Sequence, residues 1–568
     1  MEEDDDDDQL DYGDDITEEL PNTVYLELLK PDVSLEKFGI PVTIDKFISS
    51  IIYFDPTFHG AKNFPEVMNV KSKLRSVTGK LTFESLDIYC LYYLPVVMYS
   101  FCRLMSKALD QKKDILKENP TKYYEDVYIL MKEEFHSQID FKLVKFRPKH
   151  EFEGPQAGDL AFIRAKCIRY PEDTDGTFEE NYHFGLFLSS QTRVVKPEVY
   201  AIEHAIVNNY PAEERGDLIC EESIVRVRHV NSLFLRNDYQ LAIFKLVNCL
   251  FHMLQAKALY LLGANPCQEH FLNPVMVIKN SGVTIEENLQ LPPEDLDTIQ
   301  KAIDLVGQSD SSSSCFLAID FTDPSRYNNL LEPILKQMIL NVPFFRSKET
   351  ESTPILIISK CPDSLKQLYE NLIRDDYFGE NGVILDPSPA ESAQVDAKLI
   401  SLFQNHMSTL THDKEAKQKG SERYTKCIEY LEKNRSLDDL KAQWVVDMQR
   451  TRKEVKRRLI RKCKIILTNL DNICKDDQYL INFNAKAFGQ HRILCCVLLD
   501  AHQFTETETV CLTNFGITKF ILFGNSSIEL PEEEQLTPKG LDRSLLHRLQ
   551  MIDARNQDKS PYTSYVKR

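Results

Sequence analysis

The residues best suited to chemistry fall in four places. Arg450–Lys464 holds nine basic residues (Arg450, Arg452, Lys453, Lys456, Arg457, Arg458, Arg461, Lys462 and Lys464) and one acid, Glu454. Such density is a candidate contact for nucleic-acid phosphates, each neutralised phosphate adding about 0.9 to the salt slope on duplex DNA. A transport signal and a solvated helix face fit the same residues. Cys267-Gln-Glu-His270 has ligand-like spacing, but no second pair accompanies it, so no metal site is expected. Asp500-Ala-His502 pairs an acid with an imidazole, yet residues so close in sequence rarely aim at one nucleophile, and no G-x-S-x-G exists. Ser311–Ser314 reads as a loop before a strand.

The elements that must position these residues follow from hydrophobic period. Apolar spacing over 24–150 predicts helices, notably Leu86–Leu109 and Tyr123–Glu134. Short alternating segments at Asp159–Cys167, His183–Leu188 and Ile224–His229 predict a small antiparallel barrel. Tyr239–Leu262 returns to helical spacing. Beyond Leu291, apolar runs at Cys315–Ile319, Pro354–Ile358, Ile465–Thr468, Ile493–Leu499 and Lys519–Phe523 predict a parallel sheet covered on both faces. The expected organisation is a disordered acidic tail over 1–22, a helical region over 23–150, a barrel over 151–235 and stalk helices over 236–290. An α/β domain fills 291–568, with a helical insertion at about 374–462.

Composition narrows the class. The chain has 568 residues and a net charge of −19, yet twelve acids and no bases fall within residues 1–20, so the remainder is only mildly acidic. Fourteen scattered cysteines without a paired framework read as thiols of a reducing compartment. There is no secretory signal pattern. The apolar run Tyr89–Cys102 is too short to span a bilayer, and Leu241–Leu262 carries Lys245 and Lys257. The expectation is a soluble protein of the nucleus, or of nucleus and cytoplasm.

Several segments in order carry a family resemblance. Leu296-Asp-Thr-Ile-Gln300 resembles the Leu-Asn-x-x-Gln segment of superfamily 1 RNA/DNA helicases. Ile355–Ile373 is similar to the strand and helix after their phosphate loop. Lys464–Leu470, Leu498–Thr509 (LLDAHQFTETET), Lys519–Glu532 (KFILFGNSSIELPE) and Gly540–Leu546 resemble later motifs of the first motor domain. Upstream, Gly158-Asp-Leu160 resembles the start of the family's barrel, Ser232–Leu241 the return into its stalk, and Phe83–Pro95 an approach segment. The match is nearest to the senataxin-like branch. It implies an α/β fold with a RecA-like parallel sheet, helices on both faces, a helical N-terminal region and a small β-barrel.

The same alignment implies that the catalytic groups are lost. Phosphoryl transfer needs a glycine-rich turn, a lysine and a hydroxyl residue for Mg²⁺. Through the resemblance these positions fall on Leu317–Tyr327, where Asp320 and Asp323 stand for glycines and Pro324 removes an N–H donor. Arg326 takes the lysine position and Tyr327 the hydroxyl position. The one Gly-Lys pair, Gly79-Lys80, has Leu74 where the first glycine belongs. Without a gap Leu499 replaces the Mg²⁺-binding aspartate and Asp500 the catalytic glutamate, and with one gap Asp500 is retained and the glutamate is missing, so either way one carboxylate remains; Asn525 replaces an aspartate, and the expected glutamine is shifted or becomes Glu529. Residues 551–568 resemble the opening of a second RecA-like domain, with Gln557 at an arginine position, and that domain is expected to be absent.

Gln300, Arg326, Asp500 and Gln503 are therefore degenerate nucleotide-site positions, with no cofactor, no metal and no catalytic residue expected. The expectation is a pseudohelicase: a protein- or RNA-binding scaffold in nuclear RNA metabolism or silencing. Protein partners, and RNA or DNA, are expected, with no membrane and no small-molecule substrate. A non-hydrolysing nucleotide-binding regulator, or a weak helicase completed by a partner chain, are the rivals.

Overall fold

The computed structural model describes residues 74, 80–118, 124–135, 138–148, 156–167, 182–194, 218–228, 239–285, 290–308, 313–322, 327–342, 354–374, 382–386, 389–409, 414–433, 440–475, 495–528, 543–556 and 563–568. The acidic tail and Gly79 lie outside them.

The first element is α1 (Leu86–Glu118). Its stretch Leu86–Leu109 is long and apolar enough to cross a membrane, but Tyr89, Tyr93, Leu94, Val97 and Met105 are buried within the protein, as in a core helix.

Six strands follow: β1 (Tyr124–Phe135), β2 (Gln138–Pro148), β3 (Asp159–Cys167), β4 (Tyr182–Val194), β5 (Leu218–Arg228) and β6 (Tyr239–Asn248). They close an antiparallel barrel in the order β1-β2-β5-β4-β3-β6. Two expectations are corrected here. Tyr123–Glu134 is not helical: it is β1, and a register shift between Ile129 and Met131 breaks the period-two alternation that identifies a strand. The first half of Tyr239–Leu262 is β6, not helix. Its adjacent Ile243 and Phe244 are both buried, so both faces are covered and alternation disappears. The barrel thus spans 124–248 instead of 151–235, and the stalk begins later.

That stalk is α2 (Leu250–Leu261), followed by α3 (Gln268–Leu272). Gly158 fixes the barrel to α2. Its φ is 82°, and a Cβ there would stand 2.4 Å from the Leu250 side chain. Its N–H bonds Phe187 O, and its own carbonyl accepts from Cys249 N–H.

The remainder is an α/β unit with a seven-stranded all-parallel sheet. Its strands are β7 (Phe316–Asp320), β8 (Ile355–Ile358), β9 (Val383–Asp386), β10 (Ile465–Thr468), β11 (Cys495–Leu498), β12 (Lys519–Gly524) and β13 (Tyr565–Lys567). Their order is β13-β7-β12-β11-β8-β10-β9. The helices are α4 (Pro293–Gly307), α5 (Tyr327–Asn341), α6 (Pro362–Arg374), α7 (Pro389–Thr409), α8 (Lys414–Lys433), α9 (Ala442–Lys462), α10 (Leu470–Lys475), α11 (Glu506–Cys511) and α12 (Leu545–Arg555).

Alternate residues of each strand face opposite cores. Phe316, Ala318, Leu356, Ile358, Leu498 and Leu522 pack towards α1, α2 and α12. Leu317, Ile319, Ile355, Val497, Ile521 and Phe523 pack towards α4, α5 and α6. Each such side chain contributes about 1.5–3 kcal/mol by leaving water, which is why these runs stay apolar on both faces.

All five expected strands are present. The stretch 374–462 is mostly helical, α7–α9 gathering around Leu399, Phe403, Val445 and Val455, but it also contains β9 at the sheet edge. Of residues 551–568, the described ones finish α12 and supply β13, which pairs in parallel with β7.

Candidate functional site

The carboxyl ends of β7, β11 and β12 meet, the usual ligand face of an open parallel sheet. Asp320, the last residue of β7, is 5% exposed. Its carboxylate accepts from the Ser526 N–H and hydroxyl, each at 2.7 Å, and from the Tyr565 hydroxyl. The main chain is held on both sides as well. Phe321 N–H reaches Gly524 O at 2.7 Å, and Arg568 N–H reaches Asp320 O at 2.6 Å. Protein donors therefore satisfy this buried carboxylate. Burying such a charge costs several kcal/mol, and these three donors offset that cost.

Tyr327 begins α5 and is buried against Phe321 and Phe523, with ring centroids 5.0 and 6.0 Å away. Its hydroxyl has no hydrogen-bond partner. Burial pushes its pKa up, and the charges of Asp500 and Asp320 add to the rise. Arg326, with Asp323 and Pro324, lies outside the described residues.

Asp500 follows β11 after Leu499. At φ 55° it is the one non-glycine in the left-handed region among the described residues. Its carbonyl accepts from Gln503 N–H at 2.8 Å, starting the tight turn Ala501–Gln503. Burial raises its carboxyl pKa, partly opposed by His502. Burial also lowers the His502 pKa, against the pull of Asp500 and Asp320. His502 Nδ1 accepts from Asn525 N–H at 3.2 Å, which makes Nδ1 the unprotonated nitrogen. Gly524 allows this approach, since a Cβ there would meet Leu546 at 2.5 Å and His502 N at 3.1 Å.

Asp500 and Gln503 follow β11 at the same end of the sheet as Asp320, whereas Gln300 is held elsewhere. Gln300, on α4, donates through Nε2 to Val283 O at 2.6 Å and to Asp304 at 3.1 Å, so its amide is committed within the fold. The same helix receives Arg568, which pairs with Glu294 at 2.9 Å and donates to Thr298. Gln503 engages through its carbonyl, which accepts from Lys360 Nζ at 2.9 Å, while Lys360 also pairs with Glu508 at 3.0 Å. Asn525 donates to Thr322 O at 3.5 Å. Glu529 and Gln557 lie outside the described residues.

The Thr-Glu-Thr-Glu segment after this turn has a structural role that sequence reasoning missed. Thr505 and Glu508 form a capping box on α11, a pattern legible as T-x-x-E. Glu506 is fully buried and accepts from Tyr89 at 2.8 Å, Tyr93 at 2.5 Å and Arg548 at 2.5 Å. Arg548, itself 0% exposed, also donates to Leu81 O, Phe271 O and Leu272 O. Nothing local in the sequence marks this pair, because its members lie 42 residues apart and their partners more than 270.

The basic run lies on α9 and is largely spent on acids of its own chain. Lys456 meets the buried Asp386 at 3.1 Å, Arg452 meets Asp396 at 3.2 Å, and Arg457 and Arg458 both meet Glu454 at 3.4 Å. Val455 and Ile460 are buried, while Arg450, Arg452 and Lys453 are exposed. Lys464 follows the helix and leads into β10. The side chains of Arg461 and Lys462 lie outside the described residues.

Cys267 and His270, on and beside α3, are joined by Cys315. Cys267 Sγ donates to Thr518 O at 3.0 Å, and His270 packs edge-on against Phe316. Cys315 lies against both, and its neighbours Cys267, His270 and Lys519 lower its thiol pKa. Among the described residues no three His, Cys, Asp or Glu side chains converge to hold a metal.

No protein-family model matches this chain, and no curated protein matches it.

Proposed function

We propose that this protein is a catalytically silent relative of superfamily 1 RNA/DNA helicases of the senataxin-like branch. It uses a RecA-like sheet, a barrel and a stalk as a protein-binding scaffold in nuclear RNA metabolism. The observation that carries the reading is Asp320. A carboxylate at the start of the phosphate-loop position, bonded by Ser526 and Tyr565, offers negative charge where a triphosphate needs N–H donors and a lysine. Two further features support it. Asp500 stands without a second carboxylate beside it in the turn, and the adenine-reading position Gln300 is engaged with Val283 and Asp304.

A protein partner is favoured over RNA by α9, whose Lys456 and Arg457 are paired with Asp386 and Glu454. Exposed surface ion pairs are weak, however, so Arg452 and Lys453 retain the capacity to meet phosphates. The test of silence is ATP turnover by the purified full chain, with and without RNA, and the expected result is none above a protein-free control. The test of the helix is RNA binding in a salt series, comparing the wild type with a variant carrying the exposed Arg450, Arg452 and Lys453 changed to Glu. An unchanged affinity and slope assign the helix to protein contacts alone.

A further inference from the structure

Two thiols carried by helices that leave different strands of the parallel sheet meet in the core. Cys474, near the end of α10, and Cys511, the last residue of α11, bring their sulfurs to 4.0 Å although they lie 37 residues apart in the chain. α10 follows β10 and α11 follows β11, and β8 runs between those two strands. The sulfur contact therefore bridges segments that the sheet keeps apart. Both helices pack on the stalk helix α2. Asn514 fixes Cys511 there, donating to its Sγ at 3.9 Å and to Leu254 O of α2 at 2.8 Å. A disulfide sets its sulfurs about 2.0 Å apart, so the gap has to close by about 2 Å, a shift that rotation about Cα–Cβ supplies.

Both residues are fully buried, so a reagent reaches the pair only when one helix lifts. α10 is the helix built to do so. It has six residues, so most of its backbone N–H and C=O groups belong to its end turns. Its Asn472 Nδ2 is buried without a hydrogen-bond partner, whereas α11 is closed by its capping box and anchored by Glu506 to Arg548. Leu470, Ile473 and Cys474 hold α10 by one face, and Asp471 is exposed. Lifting that face uncovers Cys474, and local openings of this kind occur far below the cost of global unfolding. We propose that Cys474 and Cys511 are a reversible redox pair, oxidised by a small-molecule disulfide of the glutathione class to a bond that staples α10 to α11. The Cys474 thiol gives its proton to water, and the thiolate attacks one sulfur of the oxidant, forming a mixed disulfide and expelling one small thiolate. The Cys511 thiol then loses its proton and attacks Cys474 Sγ; the Cys474–Cys511 bond forms and the second small thiolate leaves. Two protein thiols give up two electrons and two protons, and one small disulfide becomes two thiols. In a reducing compartment the pair stays as thiols, and an oxidising shift closes it.

The test equilibrates the full chain, without denaturant, in glutathione buffers of rising oxidised fraction. Samples are quenched in acid, alkylated and mapped by mass spectrometry. The expected result is a linked Cys474–Cys511 peptide that forms while the chain is still folded and disappears with dithiothreitol. Hydrogen exchange over Leu470–Lys475 should slow at least about tenfold on oxidation, since the bond closes the opening that exposes Cys474. Cys511→Ala should trap glutathione on Cys474, and Cys474→Ala should leave Cys511 unmodified. The wild-type map needs neither variant, so a variant that fails to fold leaves the test intact.

A wild type that keeps both thiols at every glutathione ratio at which the chain stays folded overturns the proposal. So does a link from either cysteine to a different one, or a Cys474–Cys511 link that leaves the exchange of α10 unchanged. Glutathione found on Cys511 in folded Cys474→Ala overturns the assignment of Cys474 as the first nucleophile.

Discussion

Replacing Arg548 with methionine tests how the N-terminal helix is fastened to the α/β unit. The guanidinium makes four hydrogen bonds of 2.5–3.0 Å, to Glu506 and to the carbonyls of Leu81, Phe271 and Leu272. It also lies 4.9 Å from the Phe83 ring centroid. Methionine fills the volume and leaves three buried carbonyls and one buried carboxylate to their remaining donors. Tyr89 and Tyr93 still reach Glu506, and Arg543 stands 3.9 Å away, too distant to replace the lost pair. Removing one member of a buried pair costs about 3–5 kcal/mol. At about 1.4 kcal/mol per tenfold, the opening equilibrium of α1 should rise by roughly a thousandfold. Hydrogen exchange by mass spectrometry over Leu86–Leu109 reads this directly. Glu506→Gln combined with Arg548→Met removes both charges, so it should cost less than the sum of the single changes. A rise in exchange below tenfold, or strictly additive singles, would refute the reasoning.

The other predictions concern three elements. Burial raises the Glu221 carboxyl on β5 to about 7. The folded state therefore holds that proton more tightly than the unfolded chain. The stabilisation is complete below the unfolded pKa of 4.5 and is lost as pH rises to about 7, on the order of 3 kcal/mol. Glu221→Gln should flatten denaturation midpoints across pH 4.5–8, and an unchanged pH profile would contradict this. Tyr565→Phe removes one of three donors to Asp320 and should loosen β13 by about 1.5–3 kcal/mol, seen as faster exchange at Tyr565–Lys567. Lys456→Ala removes an ion-pair partner of the buried Asp386 and should lower stability by about 1–2 kcal/mol, whereas Lys453→Ala on the exposed face should change it by less than about 0.5 kcal/mol. Equal effects of the two would show that Asp386 is not a structural anchor.

The parallel sheet was legible because doubly covered strands are continuous apolar runs, and Phe316–Ile319, Ile355–Ile358 and Cys495–Leu498 are such runs. Two strands escaped for the complementary reason. Val383–Asp386 and Tyr565–Lys567 are edge strands of only four and three residues that end in charged residues, and such short runs, even the apolar Val383-Ile-Leu385, do not stand out beside polar neighbours. The barrel was half legible. Asp159–Cys167 alternates, but the bulge in Tyr124–Phe135 mimics helical spacing, and Tyr239–Asn248 merges into the apolar helix that follows it. At the site, the residue identities of Asp320, Asp500 and Tyr327 were readable, but their partners were not. Ser526 and Tyr565 reach Asp320 from 206 and 245 residues away, and no local period encodes such a contact. The basic run was visible by count, and the acids that neutralise it, Asp386 and Asp396, became visible only in three dimensions.

The central claim is that the carboxyl ends of β7 and β11 have lost the capacity to hold a nucleotide. Calorimetric titration of Mg·ATP into the full chain tests it most directly. The account predicts no saturable heat and no change when Asp320 is replaced by glycine alone, since on the proposed helicase kinship the lysine and glycine-rich turn are replaced as well. Stoichiometric binding by the wild type that weakens on disturbing Asp320–Tyr327 would contradict it.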